Sequence, residues 1–240
     1  MITSLDNKKV KDWTKLHNKK YRIEEYLIFN PLAIKEAKKR GYLKTLIYVG
    51  KEPFSYSSSY EVSEEVMKKI SKQDDIKYIG VATKIKENKN YKSRVLLLDN
   101  IQDPLNLGRI IELCYCFGYD TLVLSEDTCD LYHPNCLDAA KDTIYKVNII
   151  RKDLKEVIKE LKEKEFTIYA TGLSNRTKDI NIIKTKSKMA FILGNEGSGI
   201  SKEIFDLSDE IIKIQMNNLD SLNVAMAGSI VLYKFNNLKA

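Results

Sequence analysis

The stretch Met189-Ala190-Phe191-Ile192-Leu193-Gly194-Asn195-Glu196-Gly197-Ser198-Gly199 begins as an uninterrupted apolar run and breaks into a glycine-rich turn carrying one carboxylate. An apolar run bounded by such a turn reads as a strand buried on both faces of a parallel sheet. About twenty residues on, Ser221-Leu222-Asn223-Val224 opens a helical segment with a hydroxyl and an amide, either Asp220 or Ser221 serving as its N-cap. A buried strand that delivers main chain and polar groups to one place is a common way to build a ligand pocket. Upstream, Asp103-Pro104-Leu105-Asn106-Leu107-Gly108 has the same design.

Working outward, Val95–Leu98, Thr121–Leu124 and Phe166–Ala170 are further continuous apolar runs. Between them lie helical patterns over Leu107–Phe117, Asn135–Thr143, Asp153–Lys164 and Ser201–Leu207, with Ser221–Phe235 after them. Strand and helix alternating in this way predict an open, doubly wound α/β domain over residues 95–240. Ligands on such folds sit at the carboxyl ends of strands, where Asp99–Gly108 and Gly194–Gly199 both fall. Residues 1–90 read as a smaller α/β unit. It has a basic helix over Ser4–Lys20, helices at Leu32–Arg40 and Ser63–Ile70, and strands at Leu46–Val49 and Tyr78–Ala82. Lys84–Lys92 has no apolar pattern and reads as a linker.

The charge is divided unevenly. Up to Arg94 the chain carries 22 Lys and Arg against 12 Asp and Glu, while the remainder carries 18 against 21. A basic N-terminal module suits a polyanion such as RNA, with phosphate contacts supplying affinity. Cys114, Cys116, Cys129 and Cys136 form no paired zinc spacing, and Cys114 and Cys116 sit in an apolar stretch as small buried hydrophobes. His17 and His133 have no catalytic partner by spacing, and no metal is expected. No apolar run approaches the roughly 20 residues that span a bilayer, and Met1–Lys9 lacks the apolar core of a secretion signal. The expected compartment is the cytoplasm.

Three segments together resemble the signature motifs of the SpoU (TrmH-type) ribose 2′-O-methyltransferases of the SPOUT superfamily. They are Leu98–Gly108, Leu193–Ser201, and Ile214-Gln215-Met216 through Ser221-Leu222-Asn223-Val224-Ala225; Asp130-Leu131-Tyr132-His133-Pro134 between them also fits. The match spans about residues 95–236, in order and at the family's spacing. The resemblance implies a C-terminal trefoil knot and S-adenosylmethionine as cofactor. It also implies a structured RNA substrate, most of all ribosomal RNA, and a homodimer formed through the C-terminal domain. Residues 1–90 resemble the small RNA-binding module that often precedes this domain. On this resemblance, main chain at Gly194, Ile214 and Leu222 borders the adenine and sugar, and Thr171 and Gly172 line the methionine side. Leu193 and Met216 complete the cofactor-binding set. Asn106 and Asn223 position the ribose and closing loops, Glu196 anchors the knot by accepting hydrogen bonds, and Ser221 touches substrate.

The sequence departs from the family at one informative position. Four residues past Gly108 the family carries an arginine, and this chain has Glu112. Such an exchange reverses the local charge beside an RNA backbone. Arg109 lies three residues earlier on the same helical face and is the candidate to reach that space. Gln215 replaces a typical proline, and Asp138 and Asp142 stand where arginine and glycine are common. The alternative to an active enzyme is a SpoU-like RNA-binding or ribosome-assembly factor that has lost the reaction. A nucleotide-binding domain of another kind finds no support, because neither G-x-G-x-x-G nor a phosphate-loop lysine motif is present.

Overall fold

The computed structural model describes residues 1–88, 90–218 and 221–236. Its chain separates into two units, one made of residues 1–86 with 132–145 and the other of residues 87–131 with 146–240.

The first unit has strands β1 (Glu25–Ile28), β2 (Leu43–Tyr48), β3 (Ser59–Glu61) and β4 (Tyr78–Thr83) in the order β1-β4-β2-β3. Helices α1 (Lys8–Lys15) and α3 (Glu64–Ser71) cover one side. Val10 and Trp13 from α1 and Val66, Met67 and Ile70 from α3 pack with Ile47, Ile79 and Val81 of the sheet. Helix α2 (Pro31–Lys39) buries Ala33, Ile34 and Ala37. The basic helix is shorter than the expected Ser4–Lys20. The Asn7 side chain caps it by accepting from Lys9 N–H at 2.9 Å, and Asn18 starts a separate 3₁₀ turn.

Residues 132–145 differ from expectation. The sequence reading placed them in the second domain, and the structure packs them with the first. They form helix α5 (Pro134–Ala140), which stops at Lys141 with φ of 52°, and a 3₁₀ turn over Lys141–Tyr145. Aromatic contacts account for the docking. The Tyr145 and Tyr26 hydroxyls are 2.9 Å apart, and the Tyr132 ring lies 4.4 Å from the Tyr26 ring. Tyr42 stacks on Tyr145, and Ile85 N–H donates to the Tyr132 hydroxyl.

The second unit is built on a seven-stranded sheet in the order β7-β6-β5-β10-β8-β11-β9, parallel at every pairing. Its strands are β5 (Arg94–Leu98), β6 (Thr121–Leu124), β7 (Asn148–Arg151), β8 (Thr167–Thr171), β9 (Thr177–Asp179), β10 (Met189–Leu193) and β11 (Glu210–Lys213). The helices are α4 (Pro104–Cys116), α6 (Leu154–Glu163), α7 (Lys202–Asp206) and α8 (Val224–Lys234). The apolar runs become β5, β6, β8 and β10, and all residues of β5, β6 and β10 are buried. Leu97, buried among Val123, Ile168 and Ile192, would cost about 2–5 kcal/mol to truncate to alanine. Chain order reverses between β5 and β10, so the loops after these two strands emerge side by side at the carboxyl edge.

Helix α8 is anchored at its far end. The buried Arg94 guanidinium donates from Nε to the Phe235 carbonyl at 3.0 Å and from Nη1 to the Ser187 carbonyl at 2.8 Å. The Phe235 ring stacks on Phe191 with centroids 4.9 Å apart. A guanidinium at a helix C-terminus meets carbonyls that the helix leaves unsatisfied.

Candidate active site

A relay of side chains joins the three motifs. Asn223 is the N-cap of α8, its Oδ1 accepting from Ala225 N–H at 2.9 Å and Met226 N–H at 3.4 Å. Its Nδ2 donates to Asn106 Oδ1 at 3.0 Å, and Asn106 Nδ2 donates to Glu196 Oε1 at 3.1 Å. Both ends dictate the polarity: the cap must accept from main-chain N–H, and a carboxylate only accepts. Helix α8 therefore starts at Val224 rather than at Ser221, and Ser221 is exposed ahead of it; Asp220 lies outside the described residues.

Glu196 also accepts from Gln102 N–H at 3.2 Å and Asp103 N–H at 3.3 Å. Partial burial pushes its carboxyl up, but the bonds from Asn106 and from the main-chain N–H groups of Glu196, Gln102 and Asp103 outweigh it. The carboxyl is held below the ordinary glutamate value. Asp103 in turn caps α4 through Leu105 N–H at 2.9 Å. That cap, with Pro104 at the first helical position, starts α4 earlier than the expected Leu107.

The glycine-rich loop closes on itself. Asn195 and Gly199 exchange main-chain hydrogen bonds at 2.9 and 3.0 Å. Asn195 Oδ1 accepts from Gly197 N–H and Ser198 N–H, while its Nδ2 donates to the Asn100 carbonyl at 2.8 Å. The glycines serve different ends. Gly199 has φ of 73° and open space, whereas a Cβ on Gly194 would sit 2.3 Å from Gly199 C and Ile200 N. Positive φ, the usual reason for glycine in a tight turn, applies to Gly199 alone in this loop; Gly194 is set by the close approach of backbone.

Beside this loop lies a cavity of about 350 Å³, formed where β8, β10 and β11 end. All seven residues of the expected cofactor set line it: Thr171, Gly172, Leu193, Gly194, Ile214, Met216 and Leu222. Glu196 and Ser221 line it as well. Asn106 and Asn223 stand behind that wall, coupled to it through Glu196. The Thr171 hydroxyl is committed to the Ile192 carbonyl at 3.0 Å. Gly172 meets the Phe205 ring, which a Cβ would approach to 2.8 Å. Arg109 is exposed on α4, one turn beyond Asn106, and does not line the cavity; Glu112 is half-buried one turn further.

The SpoU rRNA methylase family model matches residues 93–233. The 23S rRNA (guanosine(2553)-2'-O)-methyltransferase RlmP of Bacillus subtilis is 31% identical over 242 residues, covering 97% of each chain. The chain belongs to the SpoU rRNA methylase family. Among solved structures, an rRNA methyltransferase from Sinorhizobium meliloti superimposes with a TM-score of 0.88 at 25% identity, over 97% of this chain and 95% of that one. An AdoMet-bound rRNA methyltransferase from the same organism shares the fold with a TM-score of 0.87 at 24% identity and the same coverage.

Several residues of this cavity and its loop have no clear mark in the sequence. Asn195 is the exception: it organises the loop, and an Asn between glycines, able to accept from main-chain N–H two and three residues on, is a recognisable signal for such a turn. Lys213, Ile180, Ala227 and Val231 also line the cavity, but they come from separate elements that only the folded sheet assembles. Cys114 is buried as expected, whereas Cys116 is exposed at the last turn of α4. Among the described residues there is no His, Cys, Asp and Glu cluster suited to a metal, and no helix is long and apolar enough to cross a membrane.

Proposed function

We propose that this chain is an S-adenosylmethionine-dependent methyltransferase acting on a ribose 2′-hydroxyl of ribosomal RNA, working in the cytoplasm. The observation that carries the reading is the cavity at the carboxyl edge of β8, β10 and β11, in a chain alike over nearly its full length to RlmP. Its volume of about 350 Å³ and its apolar and main-chain walls suit a cofactor of that size and mixed polarity. Bound there, S-adenosylmethionine would supply an activated methyl group, and little covalent help is then needed from the protein.

The residues of this chain would hold and align. Main chain at Gly194, Ile214 and Leu222, with Leu193 and Met216, would border the adenine and sugar; Thr171 and Gly172 would border the methionine part. Glu196, Asn106 and Asn223 keep the glycine-rich loop and the start of α8 in one geometry, which supports alignment of the ribose oxygen. Ser221, exposed at the cavity, would touch substrate, and Arg109 would meet the ribose or its phosphate.

The unit of residues 1–86 with 132–145, whose N-terminal part carries the excess of lysine, would serve as the RNA-binding domain, and residues 87–131 with 146–240 as the methyltransferase domain. The placement of β10 between β5 and β8 supports a trefoil knot in the latter. Exposed Met226, Ile230 and Tyr233 on α8 and Leu105 and Tyr115 on α4 support a homodimer through this face.

Glu112 favours a second reading, a SpoU-like RNA-binding or ribosome-assembly factor that keeps the fold without the reaction. The test is calorimetric titration with S-adenosylmethionine, joined to mapping of 2′-O-methyl groups in ribosomal RNA from cells with and without the protein. Binding together with one lost methyl site supports the enzyme. Unchanged methylation supports the factor.

A further inference from the structure

Arg151 ends the edge strand β7, three strands away from the strand that bears the glycine-rich loop. Its side chain gathers an unusual set of acceptors. Nη1 donates to the carbonyls of Ser125, Glu126 and Thr128 at 2.8, 2.9 and 2.7 Å, and Nη2 to the Cys129 carbonyl at 2.8 Å. Four main-chain carbonyls turned toward one point repel each other unless a cation with several donors fills the space. A guanidinium meets that need with two N–H groups on each of two nitrogens, those of Nη1 shared among three carbonyls, whereas an ammonium offers three from a single nitrogen.

The loop so gathered, 125–129, is bonded in turn to the loop after β5. Asn100 N–H donates to Ser125 Oγ at 2.8 Å, Cys129 N–H to the Ile101 carbonyl at 2.8 Å, and Gln102 Nε2 to the Asp127 carbonyl at 2.8 Å. The loop after β5 then holds the wall of the cavity. Gln102 and Asp103 N–H donate to Glu196, the Asn100 carbonyl accepts from Asn195, and Asp99 Oδ2 accepts from Ser201 N–H at 2.7 Å. Sheet register sets these steps in one row, since Arg151 pairs with Leu124, Leu124 with Leu98, and Leu98 with Leu193.

We infer that Arg151 is a positioning residue for the cofactor cavity, acting through loops 125–129 and 99–103 on Glu196 and Asn195. The inference rests on the proposed methyltransferase reading for the identity of the ligand, though not for the geometry. An arginine at the end of an edge strand carries no such meaning in the sequence, because its acceptors are main-chain atoms of another loop.

The test compares full-length wild type with Arg151→Lys and Arg151→Gln. Three readouts are taken: S-adenosylmethionine affinity by calorimetry, amide hydrogen exchange, and thermal melting. Loss of these bonds is expected to weaken S-adenosylmethionine binding roughly threefold to tenfold in both variants. Exchange should accelerate at Asn100, Gln102, Asp103 and Cys129, while the amides of the first unit keep wild-type protection. Arg151→Lys keeps the charge and serves as the folded variant if Arg151→Gln does not fold. Wild-type affinity in Arg151→Lys, or acceleration spread evenly over both units, would overturn the inference. Failure of the wild-type protein to bind S-adenosylmethionine strikes the methyltransferase reading instead, and the exchange pattern still decides whether Arg151 orders the wall.

Discussion

The Asn223 side-chain amide donates to the Asn106 side-chain oxygen at 3.0 Å, joining residues 117 positions apart in the chain. Through Asn106 the N-cap of α8 is tied to Glu196, so the helix start and the glycine-rich loop are joined by side-chain hydrogen bonds. Asn106, at the middle of this relay, is 3% exposed, while Glu196 and Asn223 at its two ends reach the surface. The central amide is thus the member whose loss leaves a buried polar gap.

Asn106→Asp should therefore be more damaging than its small change in shape suggests. It removes the donor to Glu196 and sets two carboxyl groups against each other, so one must take up a proton. Methyl transfer at neutral pH is expected to fall roughly tenfold or more, with partial recovery in mild acid. Asn106→Ala should lose activity with no acid recovery. Superimposable pH–rate profiles for the two variants would contradict the polarity of the relay.

Glu196 makes a separate pH prediction. Burial raises its carboxyl, but the hydrogen bonds from Asn106 and main-chain N–H groups outweigh burial and hold it below the ordinary glutamate value. The folded protein thus binds this proton more weakly than the unfolded chain does. Its contribution to stability is fully present above the ordinary glutamate pKa and is lost as pH falls through the depressed folded value. The stability gap between wild type and Glu196→Gln should be constant from about pH 6 upward and shrink in acid. Urea denaturation at a series of pH values measures it, and a gap that widens in acid refutes the assignment.

The two kinds of glycine in the loop separate by magnitude. Gly194→Ala forces a Cβ to within 2.3 Å of main-chain atoms of Gly199 and Ile200, so the returning loop must move. Gly199→Ala meets no neighbour and strains only a left-handed φ of 73°. Costs of roughly 3 kcal/mol and 1 kcal/mol are expected, respectively. Gly194→Ala should also lose S-adenosylmethionine binding, because the displaced loop is a wall of the cavity. Equal costs in chemical denaturation would show that backbone approach is not what requires Gly194.

What could be read in advance follows from the range of each interaction. The buried strands and their glycine-rich ends are local patterns, whereas the cavity-lining set from Thr171 to Leu222 is implied by the family resemblance and not by any pattern of spacing. Residues 132–145 group with the first unit although the strand-helix pattern continues through them, because Tyr132 and Tyr145 pack on Tyr26 and Tyr42 from far along the chain. Arg94 and Arg151 were invisible for a related reason: both are spent on main-chain carbonyls, which leave no mark in the side-chain pattern. Short strands such as β9 and β11, half-buried at a sheet margin, lack the apolar run that revealed β5 and β10. Asn223 displaced Ser221 as the cap of α8 because its side chain reaches two main-chain donors.

Arg109 and Glu112 give the decisive prediction about catalysis. Both lie on α4 beyond Asn106, separated by three residues and therefore on one face, with opposite charges. Arg109 is exposed and is not part of the cavity wall, so its removal should leave cofactor binding intact. If it acts on the ribose or its phosphate, Arg109→Ala should lower methyl transfer roughly 100-fold while calorimetric affinity for S-adenosylmethionine stays at the wild-type value. Glu112→Arg in the Arg109→Ala background puts a guanidinium where the family carries one, and should restore much of the lost rate. Full activity in Arg109→Ala removes the role from this residue. Loss without rescue by Glu112→Arg means that α4 of this chain presents its cation from Arg109 alone.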